Sequence, residues 1–202
     1  MADLNLIEAL DAILPQTQCR QCGFRGCREY ARAMAEGSAP VNRCPPGGNA
    51  GIARLAAALG REPLPLDPEY GREMPFAVAR IRADECIGCG RCQRVCPVDA
   101  VIGSQKRLHA VIEEACTGCS LCESACPISC IDMVEAGRAW GGEDAARARA
   151  RHERRERRLE RQKEESERFY RALGQGDEAK KKATIEALLR LAAQKAAPGA
   201  GR

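Results

Sequence analysis

The stretch Cys86–Val101, CIGCGRCQRVCPVDAV, returns thirty positions later as Cys116–Ile131, CTGCSLCESACPISCI. Four cysteines and the proline after them match one for one, so each copy spells C-x2-C-x2-C-x3-C-P. Thiolates are soft ligands suited to zinc, copper(I) or iron–sulfur cores. Structural zinc usually takes two C-x2-C knuckles parted by a longer loop. Here three thiols follow one another at x2, x2, so one tight loop can cap three corners of a cubane. The fourth thiol, ahead of proline, points away from that loop, which is the two-cluster bacterial run. Two copies supply two complete sets of four, and two repeats are too few for a solenoid. A tandem duplication inside one small α+β unit is the expected fold.

The rest of the chain fits a protein held by metal. Phe, Tyr and Trp total seven among 202 residues, while Gly and Pro reach 19 and 11. Small domains with thin cores rely on disulfides or metals, and thirteen cysteines would serve either. The opening MADLNLIEALDAILPQ spreads Asp3, Glu8 and Asp11 through its apolar positions, unlike an export signal. No run approaches the length of a membrane span. A reducing cytoplasm is therefore expected, where cysteine clusters bind metal more often than they pair.

Leu6, Leu10, Ile13 and Leu14 recur at helical spacing until Pro15. REYARAMAE, from Arg28, reads as a short helix closed by Gly37. Ile52, Leu55, Ala56 and Leu59 mark another closed by Gly60. Pro63, Pro65, Pro68 and Pro75 predict an extended linker. FAVARIR and RLHAVIEE predict short strands leading into the two copies of the repeat. The expected organisation is an N-terminal module over 1–60, a linker over 61–75, the duplicated module over 76–137 and a charged helical tail over 138–202.

Over residues 76–137 the sequence resembles the two-[4Fe–4S] ferredoxins. That resemblance implies that Cys86, Cys89, Cys92 and Cys126 hold one cluster, and that Cys96, Cys116, Cys119 and Cys122 hold another. It also implies that Pro97 and Pro127 end the ligand loops and begin short helical turns. Cys130, aligned with Ala100, reads as a small buried hydrophobe, with a substitute ligand or redox-sensing thiol as the alternative.

CRQCGFRGC, residues 19–27, places three further thiols at x2 and x4, and Cys44 follows. By spacing alone this third set suits zinc or iron–sulfur. The wider stretch LPQTQCRQCGFRGCREYARAMAEGSAPVNRCPPGG resembles the N-terminal iron–sulfur domain of the Rnf (Rsx) complex B subunit, a domain related to one in the corrinoid iron–sulfur protein. By that resemblance Cys19, Cys22, Cys27 and Cys44 hold a third [4Fe–4S] cluster, with Gly23 and Gly26 letting the backbone wrap close to it. The likeness to the Rnf B family runs through residues 5–137 in the same domain order. It departs in lacking the transmembrane helix usual ahead of this domain. The implied function is one-electron relay in an Rnf/Rsx-like translocase, between ferredoxin or a flavin–NAD(H) subunit and membrane flavoproteins, peripheral on the cytoplasmic face of the inner membrane.

Residues 1–140 hold 15 Lys and Arg against 17 Asp and Glu, and the remainder holds 17 against 11. Three thiolate-bound oxidised clusters would add about −6 to the formal charge of +4. An acidic front and basic tail result. The tail pattern, with Glu153–Arg157 and Glu164–Arg168 four apart, predicts a solvated helix. Ile185, Leu188, Leu189 and Ala192 form a narrow apolar stripe. A docking arm for an acidic partner or anionic lipid is the alternative, and nucleic-acid binding is disfavoured because Glu interrupts the basic run. His109 and His152 stand apart, Phe24 and Tyr30 read as packing residues, and GFRG is not a phosphate loop. No triad, acid–base pair or dinucleotide fingerprint appears, so no catalytic residue is assigned. Two rival functions are a free soluble carrier for other reductases and a nucleic-acid-associated cluster protein.

Overall fold

A computed structural model describes residues 3–196. The chain divides into two compact units, Met1–Arg155 and Glu156–Arg202. Helices and short antiparallel strands give the α+β architecture that the repeat and the amphipathic segments predict.

The first unit opens with α1 (Leu4–Ile13), capped by the Asp3 carboxylate, which accepts the Asn5 amide at 2.9 Å. The chain leaves α1 as Pro15 approaches, and α2 (Cys27–Ala35) and α3 (Gly48–Ala58) complete the N-terminal module. Ile7, Leu10, Leu14, Tyr30, Met34, Ile52 and Leu55 form its core. Tyr30 is anchored at its polar tip, donating to the Pro40 carbonyl at 2.7 Å and accepting the Arg43 amide at 3.1 Å. Its ring stacks on Phe24 with centroids 5.3 Å apart, the packing role expected of both.

The proline-rich stretch is strapped against this module rather than running free. The Asp67 amide donates to the Asn42 carbonyl at 2.9 Å, and Asn42 Nδ2 donates to the Pro65 carbonyl at 2.8 Å. Leu66 packs on the core, and the Arg43 guanidinium lies 4.8 Å from the Tyr70 ring centroid. Composition alone predicts stiffness; these two hydrogen bonds and one cation–π contact decide the path.

The duplicated module is built from β1 (Ala77–Ile81), α4 (Arg91–Val95), β2 (Val101–Ile102), β3 (Ala110–Val111), α5 (Leu121–Ala125) and β4 (Ile131–Glu135). β1 pairs antiparallel with β4 and β2 with β3. The register repeats the offset of thirty: Ile81 faces Ile131, and Val111 faces Val101. Each two-stranded sheet thus joins the strand before one cysteine run to the strand after the other. The backbone repeats too. Gly88 and Gly118 have φ of +67° and +69°, and a Cβ on them would fall 2.7 Å from the Arg107 amide and 2.5 Å from the Ala77 carbonyl oxygen. Only glycine accommodates both constraints.

The short helices α4 and α5 precede Pro97 and Pro127, and each proline begins a turn, over 97–98 and 127–128, with the Ser129 amide donating to the Cys126 carbonyl at 3.4 Å. The turns stop at residue 99 and its counterpart 129, whose φ of +49° and +52° no right-handed helix contains.

Helix α6 spans Gly142–Ala196. Its beginning is not a solvated extension. Ala148 is buried in the core of the duplicated module, and buried Asp144 accepts from the Gly141 amide at 2.9 Å and Arg138 at 2.8 Å. Arg151 donates to the Val98 and Asp99 carbonyls, both at 2.9 Å, and His152 Nδ1 lies 2.9 Å from the Pro97 carbonyl oxygen. Trp140 Nε1 donates to the Pro15 carbonyl at 2.9 Å. Arg149 reaches Glu8 at 2.7 Å and Asp11 at 2.9 Å. Arg28 and then Arg149 hold the Glu8 carboxyl down at about 2. These contacts tie the two cysteine-bearing modules into one unit.

In the second unit, described as far as residue 196, the helix is charged and exposes Phe169, Leu173, Ile185, Leu188 and Leu189. The Ala192 side chain and residues 197–202 of the expected tail lie outside the described residues. Among the described residues no helix is long and apolar enough to cross a membrane.

Candidate iron–sulfur sites

Three cavities in the first unit each gather four of the expected cysteines. The first is lined by Cys19, Cys22, Cys27 and Cys44, with Leu14, Tyr30 and Pro45 on its walls. Two loops and the α2 N-terminus build it. Gly23 adopts φ +84° at the turn between Cys22 and Cys27. Gly26 is extended, and a Cβ there would stand 2.8 Å from Gln18 Oε1. That closeness is needed because Gln18 Oε1 accepts the Cys27 amide at 2.9 Å. Gln18 is held in turn by Gln16 Oε1 at 2.9 Å, and Gln16 donates to the Asp11 carboxylate at 2.8 Å. A buried polar chain therefore runs from Arg149 through Asp11, Gln16 and Gln18 to the backbone of one thiol-bearing residue.

The second cavity is lined by Cys96, Cys116, Cys119 and Cys122, together with Ala79, Val98, Ala100, Val101, Val111 and Met133. The third is lined by Cys86, Cys89, Cys92 and Cys126, together with Ile81, Ile87, Ile128 and Ile131. In each, the fourth thiol comes from the other copy of the repeat, because the sheet pairing brings the end of one run over the loop of the other. Backbone amides point at the sulfurs. Ala100 N–H lies 3.2 Å from Cys96 Sγ, its counterpart Cys130 N–H 3.4 Å from Cys126 Sγ, and Ala79 N–H 3.4 Å from Cys116 Sγ.

Burial leaves six of these thiols hard to ionise. It pushes Cys44 and Cys122 up to about 12, Cys119 to about 11, and Cys27 well above the usual thiol value, with Cys22 and Cys92 also raised. Cys126 shifts the other way. Burial raises it, but the Cys130, Ile128 and Ser129 amides and the Cys130 thiol outweigh burial and lower it. Cys130, buried and giving a hydrogen bond to Cys126, is raised to about 12. Such thiols become thiolates when a cation arrives to compensate the charge.

The donor sets fit [4Fe–4S] cores: four thiols per cavity, apolar walls, and amides aimed at sulfur. They fit a single ion poorly. Among the described residues no three Cys, His, Asp or Glu side chains converge on a point where one ion could be held. A zinc ion needs all its thiolates within about 2.3 Å of itself; a cubane spreads its four irons, and its ligands, over the corners.

Two family models match the chain. A 4Fe-4S dicluster domain covers residues 79–133, and a domain described as a putative Fe-S cluster covers residues 14–46. Over 132 residues the chain is 58% identical to the B subunit of the ion-translocating oxidoreductase complex of Stutzerimonas stutzeri, covering 65% of this chain and 68% of that protein. The chain belongs to the family of ion-translocating oxidoreductase complex B subunits. Proteins of the same name from Hahella chejuensis and Azoarcus sp. are 57% and 54% identical over 131 and 108 residues. Those matches take in 65% and 54% of this chain, and 66% and 59% of the relatives' own lengths. The family and its iron–sulfur character agree with the motif reading.

Two further residues line the third cavity, of which Cys130 is buried as the sequence leads one to expect and His109 is given no role by the sequence. His109, expected in a strand, lies just before β3 and is buried on the cavity wall, and Cys130 lines the same space. For Cys130 the only signal was its alignment with Ala100. For His109 it would have been the thirty-residue offset, which pairs it with Ala79 beside the other cavity.

Proposed function

We propose that this chain relays single electrons through three [4Fe–4S] clusters. Cys19, Cys22, Cys27 and Cys44 would hold one, Cys86, Cys89, Cys92 and Cys126 a second, and Cys96, Cys116, Cys119 and Cys122 a third. The observation that carries this reading is the sorting of twelve cysteines into three cavities of four. Each cluster supplies a one-electron couple, and the protein sets its potential through burial and hydrogen bonds to sulfur.

The chain's residues also order the cavities. Thr17 lines the first and Thr117 the second, and Thr117 Oγ1 donates to the Thr17 carbonyl at 2.9 Å. The second and third share the duplicated module. This supports a path from one module to the other. The relatives' name supports assembly with other subunits of an ion-translocating oxidoreductase complex; a station on the cytoplasmic face of the membrane is part of the same proposal.

The test is anaerobic purification followed by iron, acid-labile sulfide and zinc assays. About twelve iron and twelve sulfide per chain with little zinc is expected. About eight would confine clusters to the duplicated module, and stoichiometric zinc without sulfide would overturn the relay.

A further inference from the structure

The second and third cavities are the two halves of one duplication, so their differences can be read position by position. Ala79 and Ala100 flank the second cavity, and their counterparts at the offset of thirty, His109 and Cys130, flank the third. His109 is only 4% exposed. Its Nδ1 lies 3.9 Å from Cys86 Sγ, and its Nε2 is buried without a protein partner. Cys130 Sγ lies 3.5 Å from Cys126 Sγ. Where one site has two methyl groups, the other has an imidazole and a thiol, each against a different cysteine sulfur.

We infer that the Cys86/Cys89/Cys92/Cys126 site has the higher reduction potential of the two, and that the His109 and Cys130 side chains make it so. The inference rests on the cluster ligation proposed above. Reduction adds an electron to a site that already carries about −2 with its thiolates, so any donor aimed at sulfur favours the reduced form. The imidazole N–H and thiol S–H are two such donors, and the second site has methyl groups in their places. Exposure acts in the same direction: three of the four cysteines here, Cys86, Cys89 and Cys126, are partly exposed, against one of four, Cys119, at the other site. Two features oppose this ordering: the Ala79 amide on Cys116, and the hydroxyl side chains of Thr117 and Ser120 on the second cavity's wall, where the other half has Ile87 and Gly90. The Thr117 hydroxyl is given to the Thr17 carbonyl, and the neutral groups that remain are set against two side chains and greater access of water, which solvates the added charge.

The ordering gives the relay a direction. The second cavity is the one bonded through Thr117 to the first, so the third lies at the end of the path. With clusters held by these cysteines, an electron from the second site would pass to the third, one site being oxidised by one electron and the other reduced by one, with no bond or proton moved. His109 and Cys130 act through the ligand sulfurs, as positioning residues for charge rather than as ligands.

The test uses the full-length chain, loaded anaerobically, assayed for iron and sulfide, then titrated with reductant while the reduced clusters are followed by electron paramagnetic resonance. Wild type should show two separated potentials for the duplicated module. His109→Ala and Cys130→Ala replace each side chain by its counterpart's. Each should lower the upper potential and leave the lower one in place. For His109→Ala the expected shift is tenfold in the reduced-to-oxidised ratio, about 59 mV for one electron. The reciprocal Ala100→Cys should raise the lower potential. If His109→Ala loses iron, Cys130→Ala and Ala100→Cys decide the matter. With iron content unchanged, variants that move neither potential, or that move the lower one instead, overturn the inference. Fewer than about eight iron per wild-type chain would instead overturn the ligation beneath it.

Discussion

Replacing Arg149 by Ala isolates what the beginning of α6 does for the N-terminal cluster site. Arg149 bonds Asp11 at 2.9 Å, and the Asp11 carboxylate is only 3% exposed. Removing one member of a buried ion pair costs about 3–5 kcal/mol, because the other charge is left uncompensated; an exposed pair is worth about 0–1 kcal/mol. This pair lies between those limits. Arg149 is 27% exposed, and Arg28 remains near Asp11 at 4.0 Å. The expected loss is about 2 kcal/mol. Asp11→Asn keeps an oxygen for Gln16 and removes the charge that needs Arg149, so adding it to Arg149→Ala should cost less than the two single changes summed. The assay is urea unfolding of the loaded protein under anaerobic conditions, followed by far-ultraviolet circular dichroism for all four members of the cycle. Asp11 connects through Gln16 and Gln18 to the Cys27 amide, so the same variant should also release iron faster from the first site. A loss below about 0.5 kcal/mol, or strict additivity, would refute the reasoning and class Arg149 with ordinary surface arginines.

Truncation separates the two parts of α6. A chain ending at Arg155 keeps the contacts of Asp144, Arg149 and Arg151 and should hold as much iron as the full protein, whereas one ending at Trp140 loses all three and should lose iron and melt earlier; equal iron in both would show the contacts to be idle. Gly118→Ala would place a Cβ 2.5 Å from the Ala77 carbonyl oxygen at a φ of +69°, so β1 must shift away from the loop carrying Cys116 and Cys119. The expected result is about four iron per chain, those of the N-terminal site; full iron content would mean that the loop relaxes without losing its ligands.

Much of this molecule is legible from its sequence. The C-x2-C-x2-C-x3-C-P runs constrain thiols a few bonds apart, so the loop that presents Cys86, Cys89 and Cys92 follows from covalent geometry. So does the duplication, and the pairing of Ile81 with Ile131 and Val111 with Val101 keeps its period. The helices around Leu10, Tyr30 and Leu55 follow from apolar spacing and from the prolines and glycines that stop them. Other features depend on elements that only folding brings together. Nothing in the Arg/Glu run distinguishes Arg149 and Arg151, which pack within the first unit, from the arginines farther along α6. Their role depends on where Asp11 and the Val98 carbonyl end up. His109 is an isolated histidine in the sequence, and tertiary packing alone sets it against Cys86 and closes it off from water. The sequence by itself determined the ligand loops, because their spacing is short-range and covalent. The tertiary structure decided which side chains surround those loops, because hydrogen bonds and burial at each sulfur come from residues distant along the chain.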